Sequence, residues 1–149
     1  MERIRRYLKN ALSRKIALPL AGFLLVFLSI GIGSAWTHSN KPEFCISCHT
    51  MEREYRNWSH SGHRNRAGCA DCHLSQQNIA AKLAGKARDG INHGYAYLSG
   101  RIPDPLRISK HSESTVMANC MRCHGEMVAK IKPDQRKCWD CHRNLPHGY

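Results

Sequence analysis

The chain has 149 residues, enough for one ordinary domain, and carries a formal net charge of +12. Such a charge is usual for a nucleic-acid-binding protein, but no nucleic-acid-binding motif accompanies it, so we expect no nucleic-acid partner. All eight cysteines fall in four Cys-x-x-Cys-His motifs. None is therefore left over for a disulfide framework or a thiol nucleophile.

The chain begins with a basic segment, residues 1–15, in which six Lys and Arg residues accompany the single acid Glu2. Residues 16–36 follow without a charge, and as a helix they would span roughly 31 Å, about the thickness of a bilayer core. The positive-inside rule predicts a cytoplasmic N-terminus at the inner membrane and places residues 37–149 in the periplasm. A cleaved signal peptide is the alternative, but the apolar run is longer than a usual signal core, so we expect a retained single-pass anchor.

The four motifs begin at residues 45, 69, 120 and 138. In each motif two cysteines would attach one haem through thioether bonds, and the adjacent histidine would ligate its iron. The cysteines are Cys45, Cys48, Cys69, Cys72, Cys120, Cys123, Cys138 and Cys141, and the motif histidines are His49, His73, His124 and His142. Zinc sites would leave these histidines without a role, so we expect four covalently bound haem c groups. The spacing suggests two dihaem modules.

The connector between the second and third motifs contains the one clear helix candidate, over residues 75–98, because apolar residues recur there every four positions. Pro103 and Pro105 indicate that a loop follows. Helical spacing places four polar residues on one face of the candidate, and a solvated surface would show the same pattern. They are Lys82, Lys86, Asp89 and His93. Because the exported part is too short for a large side-chain core, we expect a mainly α, loop-rich multihaem fold behind one N-terminal transmembrane helix.

Several residues are candidates for the second axial ligands of the irons. The histidines outside the motifs are His38, His60, His63, His93, His111 and His147. His147 and His63 lie nearest to attached haems in sequence, although each of the six could instead be a surface residue. Met51 follows His49 by two residues, and a thioether ligand would raise the potential of the first haem relative to two histidines.

Over nearly its whole length the chain resembles the membrane-bound tetrahaem quinol dehydrogenases of the NapC/NrfH type. It is most similar to those that form the small subunit of ammonia-forming cytochrome c nitrite reductase. The resemblance rests on Cys-Ile-Ser-Cys-His-Thr-Met at residues 45–51, Ser-Gly-His at 61–63, Lys-Leu-Ala-Gly-Lys-Ala at 82–87 and the C-terminal run over 138–147.

The resemblance implies a ligand set for the four irons. Met51 would ligate haem 1 in place of His49, and haem 2, held by His73, would take its distal ligand from a partner protein. The remaining implied pairs are His147 with His124 on haem 3 and His63 with His142 on haem 4. His60 and His111 receive no role.

The resemblance also implies a function. Menaquinol from the membrane quinol pool would be oxidised beside haem 1, with Lys86 binding a quinol oxygen and His93 or Asp89 accepting a proton. Electrons would pass to a periplasmic multihaem nitrite reductase subunit in a hetero-oligomer, and nitrite would be reduced on that partner. Two alternatives stay open: a donor to a periplasmic nitrate reductase or another terminal reductase, and a simple electron relay without its own quinol site.

Overall fold

The computed structural model describes residues 2–130, 136–143 and 147, without the side chains of residues 8–12. Residues 144–146 of the C-terminal run and the side chain of Lys9 in the basic segment lie outside the described residues. The chain divides into two compact units, Met1–Ser39 and Asn40–Tyr149. Helices, turns and loops make up the described residues, with no β-strand among them, so the predicted mainly α, loop-rich fold with one N-terminal apolar helix is confirmed.

The first unit is built on helix α1, Glu2–His38. Its 37 residues make a helix about 55 Å long, longer than a bilayer core, so α1 continues through the basic segment without a break. Ser13–His38 is the one stretch of the described chain that is long and apolar enough to cross a membrane. Within it the Ser29 hydroxyl donates a hydrogen bond to the carbonyl of Leu25 (2.7 Å). Lipid offers no hydrogen-bond partner, so this internal bond suits the hydroxyl to a membrane span.

The second unit carries the four motifs on short helices and on the end of a longer one. Its described helices are α2 Pro42–Ile46, α3 Glu52–Ser59, α4 Cys69–His73, α5 Ile79–Leu98, α6 Lys110–His124 and α7 Cys138–Cys141, with a 3₁₀ turn at His49–Met51. Residues three apart on a helix share a face, so α4, α6 and α7 each direct both cysteines of a motif to one side. Both cysteines must lie on one side because they attach to the same edge of one porphyrin.

Helix α5 is the connector helix that the apolar periodicity predicts, but it begins four residues later. Asn78 caps it by accepting a hydrogen bond from the backbone N–H of Ala81 (2.8 Å), so the helix starts at Ile79. It ends at Leu98, as predicted. Gly100 follows with a φ of 65°, the left-handed conformation that commonly ends a helix.

Helix α6 is not predicted by the sequence pattern, although it spans 15 residues and carries the third motif. Its first half is polar, so it lacks the apolar repeat that identifies α5. The helix begins after Ser109, whose hydroxyl accepts a hydrogen bond from the backbone N–H of Ser112 (3.3 Å).

Helices α4 and α6 pack against each other around two buried side chains. Leu74 is 8 % exposed and Asn119 is 7 % exposed, and they are the buried side chains of the described residues. The Asn119 amide donates hydrogen bonds to the carbonyls of Cys72 and Leu74, both at 2.8 Å. So small a core fits a fold in which porphyrins supply much of the buried apolar surface.

We expect Asn119→Leu to lower the free energy of unfolding by about 1–3 kcal/mol, because one buried carbonyl, that of Leu74, and one part-buried carbonyl, that of Cys72, lose their donor. Guanidinium unfolding of the haem-loaded protein, followed by helix circular dichroism, measures the change. Asn92→Leu, at an exposed position of α5, is the control, with an expected change within about 0.5 kcal/mol. Equal unfolding midpoints for the two variants would contradict the role assigned to Asn119.

Candidate functional site

The cysteines bring the four motifs together in two pairs. None of the eight is in a disulfide. The side chains of Cys45 and Cys69, the first cysteines of motifs one and two, form a hydrogen bond. The side chains of Cys120 and Cys138, the first cysteines of motifs three and four, form another. The motifs that are close in sequence are therefore also neighbours in space, as expected for two dihaem modules.

The contact between Cys45 and Cys69 separates the pKa values of the two thiols. The hydrogen bond from Cys69 lowers the pKa of Cys45 to about 7, although burial acts in the opposite direction. The same bond, with burial, raises the pKa of Cys69 well above its usual range. Cys45 is thus the thiol of this pair that ionises near neutral pH, and the thiolate is the nucleophilic form.

The second and third motifs meet where α4 packs on α6. Burial is the main cause that raises the pKa of Cys72, and the nearby Cys123 of the third motif raises it further. Burial also raises the pKa of Cys120 to about 11, with Cys138 and Cys72 adding to the shift. Together with the two thiol pairs, these neighbours arrange the motifs in space in the order one, two, three, four.

Two pairs of histidine rings have a separation suited to one metal ion between them. The ring centres of His63 and His124 are 6.1 Å apart, as are those of His73 and His147. With metal–nitrogen bonds of about 2 Å, an ion shared by two imidazoles would hold their ring centres roughly 6 Å apart. His63 Nδ1 is also a buried nitrogen without a hydrogen-bond partner among the described residues, which is unusual unless such an atom serves another ligand. The residues present therefore fit haem iron.

These neighbours differ from the pairs that the resemblance implies. His147 lies beside His73 of the second motif, whereas the resemblance implies His124. His63 lies beside His124 of the third motif, whereas the resemblance implies His142. The packing of α4 on α6, through Asn119, brings the segment before α4 close to the third motif.

The first motif presents Met51 rather than its histidine to the interior. The His49 side chain is 94 % exposed, and its Nδ1 lies 3.5 Å from a carboxylate oxygen of Glu52. The 3₁₀ turn at His49–Met51 rotates the chain so that Met51 lines a pocket of about 290 Å³, a volume that includes space open to solvent. The pocket is lined by Cys45, Met51, Glu54, Tyr55, Cys69, His73 and His147. Residues of motifs one and two thus share one pocket.

Glu54 holds the ring of His147 in this pocket. His147 Nδ1 lies 3.1 Å from the Glu54 carbonyl oxygen and 3.3 Å from its carboxylate oxygen Oε2. The Glu54 side chain is only 13 % exposed and also pairs with Arg53 (3.1 Å). Because Nδ1 is engaged, Nε2 is the His147 nitrogen that is available to a metal.

The polar face of α5, defined as Lys82, Lys86, Asp89 and His93, borders the first two motifs. Lys86 Nζ donates to Asn40 Oδ1 (2.9 Å), and Lys82 Nζ donates to Gln76 Oε1 (3.0 Å). Burial, followed by the charge of Lys82, lowers the pKa of Lys86. Lys82, Lys86 and Asp89 are half-buried, while His93 is exposed. The face is therefore not the fully solvated surface that helical spacing alone allows.

Electrostatic effects on the ionisable groups of the first two motifs show that the polar face of α5 lies near them. The Lys86 ammonium acts on the Cys45 thiol of the first motif and lowers its pKa. Desolvation of the ring and the neighbouring His147 lower the pKa of His73 in the second motif; Asp89 raises it and His93 lowers it. The polar face of α5 is thus turned towards the residues that would hold the first two haems.

Comparison with known proteins decides the family. The model of the NapC/NirT cytochrome c family, N-terminal region, matches residues 9–149. The chain belongs to the NapC/NirT cytochrome c family. The resemblance predicted from the motifs is confirmed.

Two similar proteins and one solved structure extend the comparison. The cytochrome c-type protein NrfH of Wolinella succinogenes is 36% identical over an alignment of 124 positions, and the alignment covers 74% of this chain and 70% of that protein. TorY of Haemophilus influenzae is 24% identical over an alignment of 157 positions; the alignment covers 83% of this chain but only 43% of TorY. The cytochrome c nitrite reductase NrfHA complex, solved with the inhibitor HQNO, aligns with a TM-score of 0.74 at 30% identity and covers 88% of this chain and 90% of its own.

Membership of the NapC/NirT family establishes the general properties of the chain. It is a membrane-anchored cytochrome with one N-terminal pass and an electron-transfer role, and it binds haem c covalently. Within this NapC/NirT chain, Glu54, Asn40 and Asn119 take part in the site although no sequence pattern singles them out. Each acts through a contact with a residue distant in sequence, so only the fold reveals it.

Proposed function

We propose that this chain oxidises menaquinol at the outer face of the inner membrane and passes the electrons to a periplasmic multihaem nitrite reductase subunit. The observation that carries the proposal is the polar face of α5, which borders the first two motifs with a lysine, a carboxylate and an imidazole. The similarity to NrfH, and to a solved complex named as a nitrite reductase with an inhibitor bound, supports it. The six basic residues before the membrane span support a cytoplasmic N-terminus.

Quinol oxidation requires the site to bind the hydroxyl groups and remove two protons. Lys86, whose ammonium is fixed by Asn40, would bind one quinol oxygen. Asp89 is held by the guanidinium of Arg88 (2.8 Å), whereas His93 is exposed, so His93 is the more accessible proton acceptor. Four bound haems would supply the one-electron chemistry and the path to the partner.

The geometry supports a ligand set for four haems that departs in part from the family pattern. Met51 would ligate the first iron, since His49 points to solvent. We assign His73 with His147 to the second iron and His63 with His124 to the third. His142 would hold the fourth iron, whose distal ligand the partner protein would then supply.

A direct test is reduction of the purified, haem-loaded chain by a soluble menaquinol analogue. Intact mass should first establish the full chain with four haems. We expect the analogue to reduce the haems without any added protein, and HQNO to inhibit the reduction. Reduction only after another quinol-oxidising complex is added would instead support the simple relay.

Co-purification tests the identity of the electron acceptor. Membranes solubilised in mild detergent should yield the anchored chain together with a multihaem nitrite reductase subunit. Recovery of a nitrate reductase in its place would support the alternative terminal reductase and leave quinol oxidation unaffected.

A prediction follows for Glu54, which we expect to position His147 and increase its basicity as an iron ligand. Glu54→Gln should shift the reduction potential of one haem to a more positive value, because a less basic imidazole stabilises the ferric state less. Spectroelectrochemical titration of the four haems measures the shift. Glu52→Gln is the matched control, since Glu52 pairs with Arg56 at 2.7 Å and does not line the pocket. Identical titrations for the two variants would remove Glu54 from this role.

A further inference from the structure

Asn40 contacts the polar face of α5 from the segment that leads into the first motif. Its side-chain oxygen Oδ1 accepts a hydrogen bond from Lys86 Nζ (2.9 Å), across 46 residues of sequence. Both side chains are half-buried. Asn40 shortly precedes Pro42, where α2 begins, and α2 carries Cys45 of that motif. The bond therefore joins the polar face of α5 to the segment that holds the first haem-attachment site.

The segment that carries Asn40 is held by packing against α4. A methyl group added at Gly68, the residue that precedes α4, would lie 3.4 Å from the Pro42 side chain, so the start of α2 lies against the start of α4. The Lys86 ammonium also lowers the pKa of the Cys45 thiol, which is a second indication that its charge lies near the first motif. The acceptor of Lys86 is therefore on a supported part of the second unit.

The chemistry of this acceptor matters because an amide is neutral. An amide oxygen orients an ammonium through a hydrogen bond and leaves its positive charge in place. A carboxylate at the same position would form an ion pair, which would counter the charge and raise the pKa of the lysine. Burial and the charge of Lys82 lower the pKa of Lys86, whereas the Cys45 thiol raises it. Asn40 thus fixes the position of a cation without neutralising it.

We propose that Asn40 is a positioning residue of the quinol site, which holds the Lys86 ammonium beside the first motif as a neutral acceptor. This inference rests on the proposed quinol oxidation. When His93 accepts a proton from a quinol hydroxyl, negative charge develops on the oxygen left behind, and an ammonium fixed in advance stabilises that charge. Asn40 acts through Lys86 rather than through a contact with the quinol.

A double-mutant cycle on the purified, haem-loaded chain tests whether Asn40 acts through Lys86. Asn40→Ala should slow reduction of the haems by a soluble menaquinol analogue about tenfold, because the ammonium loses its fixed position. Combined with Lys86→Ala, it should cause no further slowing, because the residue that it positions is absent. Asn65→Ala, at an exposed position of the turn before α4, is the matched control and should be reduced at the wild-type rate.

Asn40→Asp separates the position of the ammonium from its charge, and its side chain has nearly the shape of the native one. It should keep Lys86 in place but counter its charge, so we expect reduction by the quinol analogue to slow about tenfold here as well. This variant also serves if Asn40→Ala fails to mature with four haems. A rate at or above that of the wild type would overturn the role of a neutral acceptor.

Trace acetylation tests the contact without any quinol. The haem-loaded chains are treated with a small amount of acetic anhydride, and peptide mass spectrometry compares acetylation of Lys86 with that of the exposed Lys110. Relative to the wild type, Lys86 should react several-fold faster in Asn40→Ala, where the ammonium loses a stabilising acceptor, and several-fold slower in Asn40→Asp. Equal reactivity of Lys86 in the three chains would overturn the proposal.

The two measurements separate the role of Asn40 from the proposed function. A wild-type chain that the analogue does not reduce would contradict quinol oxidation, and the proposal with it, even if acetylation changes as expected. Slowing that multiplies in the double variant, in a chain that the analogue does reduce, would overturn the role of Asn40 alone.

Discussion

Replacing His147 with alanine is expected to convert one low-spin haem to high spin while all four haems stay attached. The ring of His147 lies 6.1 Å from that of His73 and has its Nδ1 engaged by Glu54, so Nε2 is left to ligate an iron. Covalent attachment depends on the cysteines and should not change. Electron paramagnetic resonance of the oxidised protein measures the spin state, and intact mass measures the haem count.

Two further variants sharpen this test. His63→Ala should also produce one high-spin haem, and the double variant should produce two, because the structure places the two histidines beside different motifs. His111→Ala, on the exposed start of α6, is the control and should leave the spectrum unchanged. An unchanged spectrum for His147→Ala would show that its iron has another ligand.

Lys86→Ala and His93→Ala are each expected to slow reduction of the haems by a menaquinol analogue by roughly a hundredfold, the usual contribution of one acid–base group. Lys86 would no longer bind a quinol oxygen, and His93 would no longer accept a proton. Stopped-flow absorption at the haem bands measures the rate. Dithionite, which needs no quinol site, should still reduce all four haems in both variants.

Lys82→Ala is the matched control for the lysine variant. Its ammonium donates to Gln76 (3.0 Å) and lies one turn further from His93, so its loss should change the rate much less. Wild-type rates for both Lys86→Ala and His93→Ala would exclude the polar face of α5 as the quinol site and favour the simple relay.

The sequence predicts well those features that depend on local patterns. The apolar helix and the four haem-attachment motifs follow from composition and spacing, and α5 follows from its apolar repeat. Its true start depends on one side chain, Asn78, whose capping bond the periodicity does not detect. The sequence pattern does not predict helix α6, because its first half is polar and packing on α4, rather than an apolar repeat, defines it.

The pairing of histidines could not be predicted because it depends on contacts between distant segments. His147 meets Glu54 across 93 residues, and no spacing rule relates the two positions. The half-buried state of Lys86 likewise depends on Asn40, which is 46 residues away. Helical spacing correctly predicts that the four polar residues share one face of α5. Only the fold shows that this face is turned towards the first two motifs.

The contact between the Cys45 and Cys69 thiols has a consequence for how the protein must be made. With a pKa of about 7, Cys45 is substantially ionised in a neutral compartment, and its neighbour in the hydrogen bond is another thiol. In an oxidising compartment, two such sulfurs are prone to join as a disulfide. That bond would remove one attachment point from each of the first two haems. We therefore expect haem attachment to be faster than oxidation of these two thiols, or a reductant to keep both thiols reduced until attachment is complete.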